Sequence, residues 1–130
     1  MTNEELEKKL ILEKAKKRFG RTKLRDLKEV PFSTSDHIKS VFYSLSFDNF
    51  ELRMYYYNDK SRGREEFTLA LLKPEGRLIQ WFDNSNPDYE PILREIYQDI
   101  EGRKKSFEKE KEIQDKKRHE KDLRKLGRIL

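Results

Sequence analysis

Val41-Phe42-Tyr43-Ser44-Leu45-Ser46-Phe47-Asp48-Asn49-Phe50-Glu51-Leu52-Arg53-Met54-Tyr55-Tyr56 alternates in character on both sides of a turn-forming pair. A period of two marks a strand with one face buried, and Asp-Asn is suited to a two-residue hairpin turn. With Asp48-Asn49 as the turn, residues whose numbers sum to 97 face each other: Phe47 and Phe50, Leu45 and Leu52, Tyr43 and Met54, Val41 and Tyr56. Every one of these pairs is apolar. The intervening pairs, Ser46 with Glu51, Ser44 with Arg53 and Phe42 with Tyr55, are mostly polar, so register and burial agree. Ile38, Val41, Phe42 and Leu45 also fit a helical spacing, with Ser35 or Asp36 as a cap; the Val, Phe, Tyr and Ser content favours a strand.

Working downstream, a turn through residues 59–64 would set Phe67, Leu69 and Leu71 opposite Tyr56, Met54 and Leu52, extending the same apolar face. Lys73-Pro74-Glu75-Gly76-Arg77 reads as a type I turn closed by a left-handed glycine. That three-residue turn sets Ile79 and Trp81 opposite Leu71 and Leu69, whereas a two-residue turn would bury Leu78 and Phe82 instead. After the breaker Asn84-Ser85-Asn86-Pro87-Asp88, a long helix is expected from about Asp88 to Lys125, with Leu93, Ile96, Ile100 and Phe107 packing on the sheet.

Upstream, residues 2–19 read as a helix with Thr2 as N-cap, Glu5 completing a capping box and Gly20 as the stop. Leu24, Leu27 and Val30 suggest one more helical turn before Pro31. The expected fold class is therefore α+β: an N-terminal helix, a three- to four-stranded antiparallel meander and a long charged C-terminal helix. Its expected organisation is a basic helical segment over 1–30, an α+β core over 31–107 and a charged helical tail over 108–130.

The chain has 130 residues, 42% of them charged and 34% hydrophobic, and a net charge of +5. Its 12% aromatic content, concentrated between Phe32 and Tyr97, places a folded centre between charged ends. The net charge is +4 over residues 1–30, −4 over 31–100 and +5 over 101–130. Phosphate contact needs local positive charge, so it is expected from the ends rather than from the acidic centre. Absence of cysteine excludes a disulfide scaffold and a thiolate site, and no run of about 18 apolar residues could span a bilayer. The start Thr2-Asn3-Glu4-Glu5-Leu6-Glu7 lacks the pattern of a signal peptide, so a cytoplasmic protein without membrane association is expected.

In the tail, Glu101, Glu108, Asp115 and Asp122 recur every seven residues, each followed three residues later by Lys104, Lys111, Arg118 or Lys125. Acid before base at this spacing supports a helix by about 0.2–0.5 kcal/mol per pair. Such a ladder makes a self-supporting solvated helix, and it also supplies a column of cations. A coiled coil is disfavoured, because its seam beyond Phe107 would be built from residues such as Lys111, Gln114 and Lys121. Leu123, Leu126, Ile129 and Leu130 form a small apolar end suited to a local contact or a dimer patch.

No catalytic centre, metal site or cofactor is expected. His37 and His119 lie in regions of different type, and the five glycines are isolated rather than gathered in a phosphate loop. The nearest approach to an active constellation is Arg53, Tyr55 and Tyr57 on the wetter sheet face with Arg62 and Arg64 in the adjoining loop, where Arg53 and Arg64 could hold phosphate and stabilise a phosphorane and Tyr55 move a proton, as in a small metal-independent ribonuclease. Glu51, Glu65 and Glu66 crowd the same region.

The leading functional expectation is a non-enzymatic protein whose basic helical ends engage nucleic acid or a nucleoprotein through Lys104, Lys111, Lys117, Arg118, Lys121, Arg124 and Lys125. The alternative is a protein-protein adaptor or inhibitor that uses Phe42, Tyr55 and Tyr57 on the second sheet face together with the projecting C-terminal helix, on a protein target or in a homodimer. Coverage of that face by the N-terminal helix is the competing expectation.

Overall fold

The computed structural model describes residues 2–33 and 35–130. Its elements run α1 (Asn3–Arg21), a short 3-10 turn (Leu24–Asp26), β1 (Lys28–Pro31), β2 (Ile38–Phe47), β3 (Phe50–Asp59), β4 (Arg64–Leu72), β5 (Leu78–Asp83) and α2 (Glu90–Ile129). The five strands form one antiparallel sheet in chain order. The fold is α+β with one strand more than expected. That strand is β1, which takes Val30 out of the anticipated helical turn and sets it opposite Phe42. Pro31 has no amide to donate, which is tolerable on an edge strand.

The central hairpin has the register that the alternation implies, from Phe47 opposite Phe50 to Val41 opposite Tyr56. Strand, not helix, spans residues 38–47, and Phe67, Leu69 and Leu71 face Tyr56, Met54 and Leu52. The β4–β5 pairing departs from the expected register. The three-residue turn forms, with the Lys73 amide donating to the Arg77 carbonyl and Gly76 at a φ of 89°, and Leu72 faces Leu78. A bulge then adds one residue on β5, so Gln80 faces Leu71 and Phe82 faces Leu69. Phe82 is buried and its ring meets Tyr89 edge-on at 5.2 Å, while Leu78, Ile79 and Trp81 are exposed. The bulge reverses the expected burial of Ile79 and Trp81 because a shift of one residue exchanges the faces of a strand.

Residues Met1–Ile100 and Glu101–Leu130 are two compact units. In the first, both helical contributions lie on one face of the sheet. Leu12, Ala15 and Phe19 of α1 and Leu93, Ile96, Tyr97 and Ile100 of α2 join Val41, Tyr43, Leu45, Leu52, Met54, Tyr56, Phe67, Leu69 and Phe82 in a single core. The capping box at Thr2 and Glu5 is present, but α1 runs one residue beyond Gly20 and ends where the Thr22 hydroxyl donates to the Arg18 carbonyl. Lys16 of α1 is bridged to Glu95 of α2. The second unit continues α2 as helix, and every residue from Lys105 onward is exposed. Phe107 is therefore not part of the core, contrary to expectation, and is 61% exposed.

Candidate nucleic-acid interface and open sheet face

The expected tail residues all lie on α2. Each residue advances about 100° around a helix, so Lys104, Lys111, Arg118 and Lys125 form one slowly drifting column. Lys117, Lys121 and Arg124 form a second column beside it, and together the seven span less than half the circumference. Among the described residues only the first ladder rung, Glu101 to Lys104 at 3.9 Å, closes to ion-pair distance. The cations of the other three rungs stay exposed and uncommitted, so the ladder is less self-neutralising than the spacing implies.

A second cationic feature, on α1, escapes a reading that weights the tail. Lys14, Lys17, Arg18 and Arg21, at i, i+3, i+4 and i+7, line a concavity of about 580 Å³. The Arg18 guanidinium lies over the Phe47 ring at 3.9 Å, and Arg21 Nε donates to the Lys17 carbonyl at 3.4 Å. Both interactions reduce the freedom that a ligand would otherwise have to freeze out. Lys8 and Lys16 are bridged to Glu4 and Glu95, but among the described residues none of the four lining cations makes an ion pair. The signal is present in the sequence: between Glu13 and Asp26 the chain carries seven Lys and Arg and no carboxylate.

The opposite sheet face has no helix on it among the described residues of the first unit, so the expected coverage by α1 does not occur. Phe42 and Tyr55 meet there at a tilt with ring centroids 4.9 Å apart, and Phe32 meets both at 6.1 and 6.2 Å. Tyr55 and Tyr57 line an apolar groove of about 470 Å³ with Phe32, Leu72, Leu78 and Trp81. Of the three residues expected here, Tyr55 and Tyr57 line the groove and Phe42 supports it from β2. Phe32, Leu78 and Trp81 are additions that alternation does not reveal, since Phe32 lies outside the alternating stretch and the β5 register differs by one from the expected one.

The Arg53–Tyr55–Arg64 constellation is internally neutralised. Arg53 Nε donates to Glu51 at 2.6 Å and its Nη1 to the Tyr55 hydroxyl at 3.2 Å, while Arg64 is bridged to Glu66 at 2.8 Å. Glu51 is held below the ordinary carboxylate range by its hydrogen bond to Arg53, helped by one from the Ser44 hydroxyl. The hydrogen bond to Glu51 first, and then the one to the Tyr55 hydroxyl, hold the Arg53 guanidinium more firmly protonated than usual. A phosphate arriving here would compete with carboxylates already in place. Among the described residues no three His, Asp or Glu side chains are grouped to hold a metal ion, and no helix is long and apolar enough to cross a membrane.

Compared with known proteins, the chain matches no family model, no curated protein and no solved structure.

Proposed function

We propose that this is a cytoplasmic, non-enzymatic protein that binds nucleic acid or a nucleoprotein through the phosphates, using its basic helical ends. The observation that carries the reading is the α1 concavity, where four cations converge without a carboxylate partner. The exposed columns of Lys111, Arg118 and Lys125 and of Lys117, Lys121 and Arg124 supply the second end. Side chains of this kind read backbone charge rather than bases, so weak sequence preference follows.

The test is fluorescence anisotropy with a labelled mixed-sequence oligonucleotide. Six phosphate contacts correspond to a loss of about 10³ in affinity between roughly 50 and 200 mM salt. Charge reversal of Lys117, Arg118 and Lys121, or neutralisation of Lys14, Lys17, Arg18 and Arg21 to Gln, should weaken binding and flatten that dependence. Affinity indifferent to salt and to both sets of changes would sink the proposal. A second reading, an adaptor that takes a protein partner on the open sheet face, is favoured by the apolar groove beside Tyr55 and Trp81. There the salt dependence is mild and Tyr55→Ala is the damaging change.

A further inference from the structure

The net charge of the tail is not spread evenly along it. Residues 101–115 carry five Lys and Arg against five Asp and Glu, whereas residues 116–130 carry seven against two. That second stretch also holds Leu123, Leu126, Ile129 and Leu130, which are 54%, 51%, 72% and 99% exposed. It is helical to Ile129, and the Leu130 amide donates to the Leu126 carbonyl at 2.9 Å, so the turn continues through Leu130.

At about 100° per residue, the four apolar side chains fall within an arc of about 120°. Lys117, Arg118, Lys121, Arg124, Lys125 and Arg128 fall within a second arc of about the same width, centred about 140° from the first. Within residues 116–130 that second arc contains no carboxylate. Among the described residues none of the six cations makes an ion pair. One short stretch of helix therefore presents an uncovered apolar face and an uncommitted cationic face.

We propose that this stretch of α2 is an interfacial helix that lies flat on an anionic lipid bilayer, with its apolar side chains among the acyl chains and its cations among the headgroups. Leu and Ile on one face with Lys and Arg on the other is the pattern of such an element, whose binding combines apolar area with charge. The helix is about 10–12 Å across, close to the Debye length of about 10 Å at 0.1 M salt, so cations on its far side still feel the surface charge. Nucleic acid would meet the cations and leave the apolar side chains in water. A second copy would cover the apolar side chains but bring its own five surplus positive charges beside the first, along a seam that meets His119 and Asp122 after two turns. A protein groove selects by shape through aromatic anchors, whereas this face is wholly aliphatic and suits a fluid bilayer that needs no shape matching. The assignment departs from the expected lack of membrane association. A helix lying flat needs no long apolar run, so the absence of a described helix able to cross a membrane does not bear on it.

The test is cosedimentation of the full chain with vesicles of phosphatidylcholine, alone or with about one-third phosphatidylserine. Binding should require the anionic lipid and fall at least tenfold between roughly 0.1 and 0.5 M salt, as the Debye length shrinks. Leu123→Gln, Leu126→Gln and Ile129→Gln together keep every cation and introduce a good helix former. This variant should bind vesicles at least tenfold more weakly with an unchanged circular dichroism spectrum, while its oligonucleotide affinity stays within about twofold. Arg124→Gln, Lys125→Gln and Arg128→Gln together should weaken vesicle binding by a similar factor, because reversible anchoring of this kind needs both signals. No binding to the anionic vesicles overturns the proposal, and so does equal binding to both kinds. An apolar variant that binds vesicles as the parent chain does also overturns it, since the lipid would then be only another phosphate surface. A lipid-free dimer that the apolar variant dissociates overturns it too, with a second copy covering that face.

Discussion

The Tyr56 ring stacks on Tyr97 of α2 at 4.0 Å and meets Phe67 at 5.3 Å, tying the helix to the centre of the sheet. Its hydroxyl donates to Glu65 at 2.8 Å and accepts from Asn58 Nδ2 at 3.1 Å. Burial, reinforced by the Glu65 carboxylate, pushes this phenol up to about 12. A folded-state pKa raised above the unfolded value gives stability that is complete below about pH 10 and is lost as pH rises toward 12. Alkaline titration followed at the phenolate absorbance should therefore show Tyr56 ionising late, with unfolding midpoints that fall over the same interval. Tyr56→Phe should remove that pH dependence and lower stability at neutral pH by about 1 kcal/mol, since the ring stays and the hydrogen bonds go.

At the scale of elements, β5 is where periodicity and structure part company. Alternation through residues 41–56 defines a register without help, because every facing pair on one side is apolar and a slip would expose all of them. β5 offers no such protection. Leu78, Ile79, Trp81 and Phe82 are apolar on both faces, so either register buries a plausible set. The choice falls to a bulge beside Leu71 and Leu72 and to the space under Tyr89 that Phe82 fills. The consequence is measurable by denaturant unfolding of two variants. Phe82→Ala should cost about 3–5 kcal/mol, as expected for a large aromatic ring removed from a core. Trp81→Ala, at an exposed position, should cost well under half of that. The placement of α1 is hidden for a related reason: alternation says which residues share a face but not which face a helix will choose. The α1 cations, by contrast, are legible as an uninterrupted basic run, and the concavity they share needs only the helical period.

At the scale of the whole molecule, the −4 centre and the basic ends separate stability from charge. Every side chain buried in the described core lies at or before Ile100, within the first unit. All seven proposed tail cations lie beyond it, six of them on exposed helix. In the tail, the electrostatics that would hold a polyanion are thus written apart from the hydrophobic effect that holds the fold, whereas on α1 the cations Lys14, Lys17, Arg18 and Arg21 share a helix with the buried Leu12, Ala15 and Phe19. Ending the chain after Phe107 tests that division directly, because it removes Lys111, Lys117, Arg118, Lys121, Arg124 and Lys125 and no buried side chain. Its unfolding free energy should stay within about 0.5 kcal/mol of the full chain, as for changes confined to exposed surface. Its affinity for an oligonucleotide should fall while binding through Lys14, Lys17, Arg18 and Arg21 persists with a shallower salt dependence, by about 0.9 in the logarithmic slope for each phosphate that is no longer neutralised. Calorimetry and anisotropy on the same pair of proteins check both halves. An unchanged slope would place all of the phosphate binding on α1.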